Sequence, residues 1–436
     1  MASVQELKKR ACEAIDANRD KIIAIGDSIF EEPELGYKEF KTAEKVKKAF
    51  DEMGFKYQDE VAITGVIAPL KGKQSLAKVA VMGELDAVVA PDHRCANPAD
   101  GAAHSCGHNA MIASLVGVGY ALAGTGIMEE LDGDISLMAV PAEEYVEIEY
   151  RSELIKEGKV SLLGGKQEFV KLGVMDDIDM MIMQHTGPIK EGEPKASTWG
   201  GGNGFTGKLV KYIGKAAHSG GAPHMGVNAL NAATLGLQAV AMQRETFKDQ
   251  DHVRVHPIIT KGGDLVNIVP EDVRIETYVR AANLEAIEDA CMKVDRALKA
   301  GADAIGAEVE INDFPGYMPV IPSFGLSDIA FENLKDILGE ENVSYDQPSG
   351  TGSTDQGDIS HIMPSIQARF NGAVGVGHSS SYEIEDREVA YIAAAKMLAT
   401  TAIDLLYNGA EKALDVKKNF TPALTKEEYL KKWCKL

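Results

Sequence analysis

Cys106 and His108 stand two residues apart in the run Ala103-His104-Ser105-Cys106-Gly107-His108-Asn109, where a loop feeds an apolar helix. A helix N-terminus presents unpaired N–H groups and the positive end of the peptide dipole, which draw a thiol toward thiolate. Thiolate and neutral imidazole are good ligands for zinc-like ions. A buried structural cysteine beside a capping histidine is the other reading of the same pair. Glu143 and Glu144 follow Pro141 after an apolar run. Adjacent carboxylates there are costly unless something positive holds them. A metal would do so, one carboxylate ligating while its neighbour takes a proton from water; a solvated acidic turn is the plainer alternative. His185 follows another apolar run, and His378 lies in the glycine-rich stretch Gly375-Val376-Gly377-His378-Ser379-Ser380. Cys106, His108, Glu144, His185 and His378 together offer five ligands, enough for two divalent ions, zinc or manganese, sharing a carboxylate. Asp86 suits either orienting a ligating imidazole or capping a turn. His104 is left outside the set. The chemistry indicated is metal-assisted hydrolysis.

Such residues need elements that converge. Apolar runs at 77–82, 135–140 and 178–183 read as buried strands of a parallel sheet. Each is followed at once by titratable residues: Glu84 and Asp86, then Glu143 and Glu144, then His185. A fourth run, 366–370, precedes the loop of His378. In open α/β sheets ligands bind beyond the carboxyl ends of the strands, so four segments deliver side chains to one rim. Helices are expected at 39–53, with Phe40, Ala43, Val46 and Phe50 on one face, and at 109–122, apolar nearly all round and therefore buried.

The middle of the chain has another character. The pattern predicts a strand at 204–213, a helix at 226–242 with Val227, Leu230 and Leu237 on one face, and a strand at 252–260. An alternating strand follows at 272–280. Asn283 then caps a helix whose stripe is Leu284, Ile287, Cys291, Val294 and Leu298, and a last strand runs over 307–312. This β-α-β-β-α-β order is the split ferredoxin-like unit, inserted into a larger α/β domain. The expected division is 1–199 and 314–436 for the larger domain and 200–313 for the insert. In the insert, His218 sits in a glycine-flanked loop, while Asn267 and Arg280 could hold a substrate carboxylate through arginine's fork of donors; for Arg280 a surface charge is the alternative.

Bulk properties bound the rest. A chain of 436 residues, 45 % apolar, suits two domains. A net charge of −21 argues against nucleic acid or anionic membrane as partners. Five scattered cysteines are no disulfide framework and fit a reducing compartment. No signal region is visible, and no stretch approaches the roughly 20 apolar residues that span a bilayer. The expectation is a cytoplasmic protein.

The dispersed motifs resemble metallopeptidase family twenty, which includes aminoacylases, carboxypeptidase-G-type enzymes and aminobenzoyl-glutamate hydrolases. They are Glu32-Pro33-Glu34-Leu35-Gly36 with Thr42, Gly83-Glu84-Leu85-Asp86-Ala87, His104-Ser105-Cys106-Gly107-His108-Asn109 and Pro141-Ala142-Glu143-Glu144. The stretch Gly352-Ser353-Thr354-Asp355-Gln356-Gly357-Asp358-Ile359-Ser360 looks closest to the aminobenzoyl-glutamate hydrolase and dipeptidase branch. The resemblance implies an α/β fold: a mixed, mostly parallel central sheet flanked by helices, zinc-exopeptidase-like, with a ferredoxin-like lid and dimerisation domain. It implies Cys106, His108, Glu144, His185 and His378 as ligands of two metals, Glu143 as general base, and His218 as a lid histidine reaching the partner subunit's site to stabilise the oxyanion. Asn267 and Arg280 match lid residues that bind the substrate carboxylate. The implied activity is hydrolysis of an amide in an N-acyl or aminobenzoyl amino acid or a small dipeptide, by a homodimer. Release of ammonia from a small aromatic or ureido compound, and non-catalytic binding on the same fold, are the alternatives. Two features depart from the pattern. Asn109 and Met111 stand where many members of the cysteine subgroup carry Asp and His, and the stretch 88–102 before the cysteine motif is longer than usual.

Overall fold

The computed structural model describes residues 2–198, 200–345 and 350–436. The chain forms two compact units. The first comprises Met1–Gly201, Ile321–Ser349 and Asp358–Leu430; the second comprises Gly202–Val320, Gly350–Gly357 and Lys431–Leu436. The sequence reading ended the insert at 313, but the strand Glu308–Pro315 runs past that point. Two short segments from the C-terminal half also join the second unit, which sequence contiguity could not reveal. The expected boundary at residue 199 falls on Trp199, outside the described residues.

The first unit is built on a sheet of nine strands among the described residues. Its four central strands, Asp134–Val140, Lys78–Glu84, Met180–Pro188 and Ser365–Val374, are mutually parallel. Antiparallel neighbours, such as Gly65–Leu70 beside Asp134–Val140 and Glu383–Ile384 beside Ser365–Val374, finish the edges. Every residue of Asp134–Val140 is buried, as expected of a strand covered on both faces. One cover is the helix His108–Leu122, buried at every position but Tyr120. Another is the continuous helical segment 388–406. It corrects the expectation that no stretch has membrane-spanning length: Glu388–Leu406 is long and apolar enough, yet 94 % of its window is buried inside the protein, so it is a core helix. Phe40, assigned to the apolar face of its helix, is 61 % exposed. It is the first residue of Phe40–Glu52, before the turns that Ala43, Val46 and Phe50 pack into the core.

The second unit carries a five-stranded antiparallel sheet among the described residues. Glu308–Pro315, Gly204–Ile213 and Asp272–Ala281 lie side by side, and Arg254–Val255 and Ile258–Lys261 both pair with Asp272–Ala281. With two helices this is the ferredoxin-like arrangement. The single strand expected at 252–260 is broken in two at His256-Pro257, where proline has no N–H to donate to the ladder. The helix Ala229–Met242 buries Ala229, Ala232, Ala233, Gly236 and Val240, whereas Leu230 and Leu237 are only half-buried. Small residues won that face because the neighbouring helix Leu284–Ile305 approaches closely. A Cβ on Gly301 would lie 2.4 Å from the Gly236 nitrogen and 2.5 Å from the Ala232 oxygen. Gly301→Ala is therefore expected to destabilise this unit by about 1–3 kcal/mol, the usual range for overpacking. An unchanged urea midpoint would show that the helices do not need the glycine.

Candidate metal centre

The centre lies in the first unit, and the carboxyl ends of its parallel strands account for its position. Lys78–Glu84 ends in Glu84, with Asp86 two residues on; Asp134–Val140 leads through Pro141 to Glu143 and Glu144. His185 proves to be inside its strand rather than beyond it, since Met180–Pro188 continues to Pro188. Cys106 and His108 enter at the N-terminus of the helix His108–Leu122. Gly107, the cap residue, takes φ +90°, and a Cβ there would sit 2.4 Å from the Tyr382 hydroxyl. Glycine is thus required between the thiol and the imidazole for both conformational and steric reasons.

The five expected ligands and the expected base come together. Ligand atoms of Cys106, His108 and His185 lie within 4.8 Å of one another, as do those of Cys106, Glu144 and His378 and those of Glu84, His108 and Glu143. Cys106 Sγ is 3.5 Å from His185 Nε2, and Glu144 Oε1 is 3.2 Å from His378 Nε2. The His378 backbone N–H donates to the Ser105 oxygen at 2.8 Å, which ties the histidine's loop to the cysteine's. His108 Nδ1 lies 2.9 Å from the Asp86 carbonyl and 3.2 Å from its carboxylate. A carbonyl only accepts, so Nδ1 carries the proton and Nε2 faces the cluster. The same argument holds for His185, whose Nδ1 is 3.0 Å from the Thr186 oxygen. Both rings are oriented as ligating imidazoles are when an outer carbonyl or carboxylate fixes the tautomer.

The residues present fit a divalent cation. His108 Nε2, Glu84 Oε2 and Glu144 Oε1 are buried and make no hydrogen bond, although His108 Nε2 and Glu84 Oε2 are 3.0 Å apart. Buried polar atoms without hydrogen bonds are costly; ligand atoms that converge from separate segments and meet mainly as ion pairs are arranged for a cation. Ion pairing among these side chains sets their titration. Burial and Glu144 push the Cys106 thiol up, but His185 and His108 beside it outweigh them and bring it down to about 6. Burial likewise raises Glu144, and His378 and His108 pull it down to about 2, while Glu144 lifts His378 to about 11.

Sequence reasoning brought Glu84 to the rim without giving it a role, and missed Lys166. Glu84 is fully buried and sits between His108 and Lys166, whose ammonium is 2.5 Å from Glu84 Oε1 and is also fully buried. Burial pushes the Glu84 carboxyl up, yet Lys166 and His108 hold it well below the usual carboxylate range. The signal for Glu84 was its place at the end of an apolar strand, two residues before Asp86. Lys166 had no local signal. The long stretch 88–102 folds into a loop whose His93 Nε2 is 2.9 Å from the Tyr382 oxygen and whose Arg94 pairs with Glu383 at 2.7 Å. It packs against the segment that follows His378.

His218, Asn267 and Arg280 lie in the second unit. The His218 and Asn267 loops run side by side: His218 bridges Ile268, and Ser219 N–H donates to the Asn267 oxygen at 3.0 Å. His218 Nδ1 accepts from Gly221 N–H at 2.9 Å and Gly220 N–H at 3.1 Å, so its ring proton sits on Nε2. Arg280 is no bare surface charge. It donates to Ser353 Oγ at 3.1 Å, and its guanidinium lies 5.3 Å from the rings of both Phe205 and Tyr278.

The chain matches Peptidase family M20/M25/M40 over residues 80–404. It belongs to that family. The Xaa-Arg dipeptidase of Mus musculus is 30 % identical, with 98 % of this chain and 95 % of that protein covered. The hippurate hydrolase of Campylobacter jejuni is 25 % identical, with 84 % and 92 % covered. A solved dinuclear metal-binding peptidase of Bacillus subtilis superposes with a TM-score of 0.64 at 21 % identity, covering 90 % of this chain and all but 1 % of that one, and shares its fold. As a member of this family of hydrolases the chain is a metal-dependent amidohydrolase.

A thiol brought down to about 6 is largely thiolate at neutral pH. In chelator-stripped protein at pH 7, iodoacetamide is expected to label Cys106 ahead of Cys12, Cys95 and Cys291, whose thiols are all pushed up, chiefly by burial. Peptide mapping across pH checks this: Cys106 labelling should fall as pH drops through about 6, and a half-point near 9 would contradict the assignment.

Proposed function

We propose that this chain hydrolyses the amide bond of an N-acyl amino acid or a small dipeptide, using two divalent ions held by Cys106, His108, Glu144, His185 and His378. One observation carries the reading: three overlapping groups of histidine, cysteine and carboxylate ligand atoms occupy one small buried region, with Glu143 beside them. When bound, the ions supply Lewis acidity, which polarises an amide carbonyl and lowers the pKa of a water from about 15.7 toward 7. Glu143 then acts as general base. Its carboxylate accepts a proton from the attacking water and returns it to the departing nitrogen, so amine leaves as the acid is formed. The Glu143 carboxylate is almost fully buried, which keeps that proton from exchanging with bulk solvent.

The second unit supplies recognition. His218, with its proton on Nε2, is suited to donate to the oxyanion from the partner subunit of a homodimer. Asn267, beside His218 and at the opposite end of the strand Asp272–Ala281 from Arg280, is assigned to act with His218, whereas Arg280 is assigned to the substrate's free carboxylate. Arg280 is preset for this by its two aromatic neighbours, which restrict a side chain that otherwise loses much rotamer entropy on binding. Similarity to a Xaa-Arg dipeptidase over nearly the whole of both chains favours dipeptides, and similarity to hippurate hydrolase keeps N-aroyl amino acids in view.

Glu143→Gln should lower kcat by about 10²–10⁴-fold, the usual contribution of a general base, while elemental analysis finds the metal content unchanged; retained turnover refutes the assignment. His218→Ala should lower kcat by about 10²–10³-fold, as loss of an oxyanion donor does, with unchanged unfolding. Mixing the two variants should restore activity, because a hybrid dimer contains one intact pairing; mixtures as inactive as their parents exclude the cross-subunit role. A panel of N-acyl amino acids, aminobenzoyl-glutamate and dipeptides should show chelator-sensitive release of amine. Free ammonia as the nitrogen product would point to an aminohydrolase.

A further inference from the structure

The turn carrying Glu143 and Glu144 has a backbone that a free chain avoids. Ala142 sits at φ +54°, the left-handed region, which crowds a Cβ against the following carbonyl oxygen. Such strain persists only where the surroundings over-determine it. Here three buried polar side chains from separate parts of the sequence do so. Glu39, next to the helix Phe40–Glu52, accepts the Ala142 N–H at 2.8 Å and the Thr64 hydroxyl at 2.7 Å. Asp86 accepts the Glu144 N–H at 2.8 Å. Arg151, fully buried on the helix Ile148–Lys156, donates to the Glu144 oxygen at 2.6 Å, the Leu163 oxygen at 2.8 Å and the Ala142 oxygen at 3.4 Å.

Ala142 and Glu144 flank Glu143. Both of these residues are therefore gripped at each pole, the N–H by a carboxylate and the C=O by one guanidinium. A guanidinium serves three carbonyls through two nitrogens in fixed directions, a span that the single nitrogen of an ammonium does not match. The space is shaped for it: a Cβ on Gly36 would lie 2.2 Å from Arg151 Nη2 and 2.9 Å from the Ala142 Cα, and the Tyr37 ring lies 5.5 Å from the guanidinium.

We propose that Arg151 is a positioning residue for the Glu143–Glu144 pair, holding the strained turn so that the base and its neighbouring ligand keep fixed directions. The inference rests on the functional reading of those two glutamates. Its chemical consequence is large because a misplacement of about 1 Å at a reacting group can cost on the order of 100-fold in rate.

The test compares metal-loaded wild type with Arg151→Lys and Arg151→Met. Arg151→Lys keeps the charge and loses the fork. It should leave circular dichroism and KM close to wild type, lower kcat by roughly 10–100-fold, reduce bound metal after dialysis, and speed amide hydrogen exchange over 142–146. Arg151→Met should do the same more strongly. Wild-type kcat, metal content and exchange in both variants overturn the proposal. So does failure of both to fold, or a loss of melting temperature with kcat per folded molecule unchanged, since Arg151 would then be a structural residue only. A wild type that holds no metal and cleaves no amide would instead defeat the functional reading, and the exchange comparison would still report on the clamp.

Discussion

Crowding of buried negative charge is the constraint on which this structure depends. Glu84, Asp86, Glu143 and Glu144 are all buried, and Cys106 beside them is poised as thiolate. Carboxylates out of water are tolerated only when opposite charge and hydrogen bonds replace their hydration. Lys166 meets Glu84, and Arg151 and the neighbouring backbone N–H groups meet the turn. Facing inward, His108 Nε2, Glu84 Oε2 and Glu144 Oε1 have ion-pair contacts with one another or with His378 in place of hydrogen bonds to the surrounding structure. A cation centre is the physical complement of that cluster of charge.

The parallel sheet makes such crowding feasible. Parallel strands end together, so side chains far apart in sequence meet at one rim without long loops to order. The strands themselves are apolar and fully covered, and they hold the ends in register. The helix His108–Leu122 then brings its N-terminus to the same rim, with Gly107 allowing the tight approach of Cys106. The turn that presents Glu143 and Glu144 is strained at Ala142.

The second unit works by other means. His218 and Asn267 lie on exposed loops held by backbone bonds to each other, whereas Arg280 is preset by aromatic rings and Ser353.

Periodicity and composition by themselves determined the four parallel strands of the first unit, the buried character of 109–122, the β-α-β-β-α-β segment and the convergence of Cys106, His108, Glu143, Glu144, His185 and His378 at one rim. Each of these is local: apolar runs mark covered strands, and the titratable residues stand directly after them. What tertiary structure alone decided is what arrives from a distance. Lys166 and Arg151 read as ordinary surface cations on polar helices, and nothing near them in sequence says that each meets the carboxylate or carbonyl that needs it. The broken strand at His256-Pro257, the small-residue face of Ala229–Met242 and the burial of a membrane-length helix were likewise set by neighbours. Pattern shows which faces of a chain are apolar; the charge that a buried group requires is supplied by whatever element packs against it, and only the folded chain specifies that.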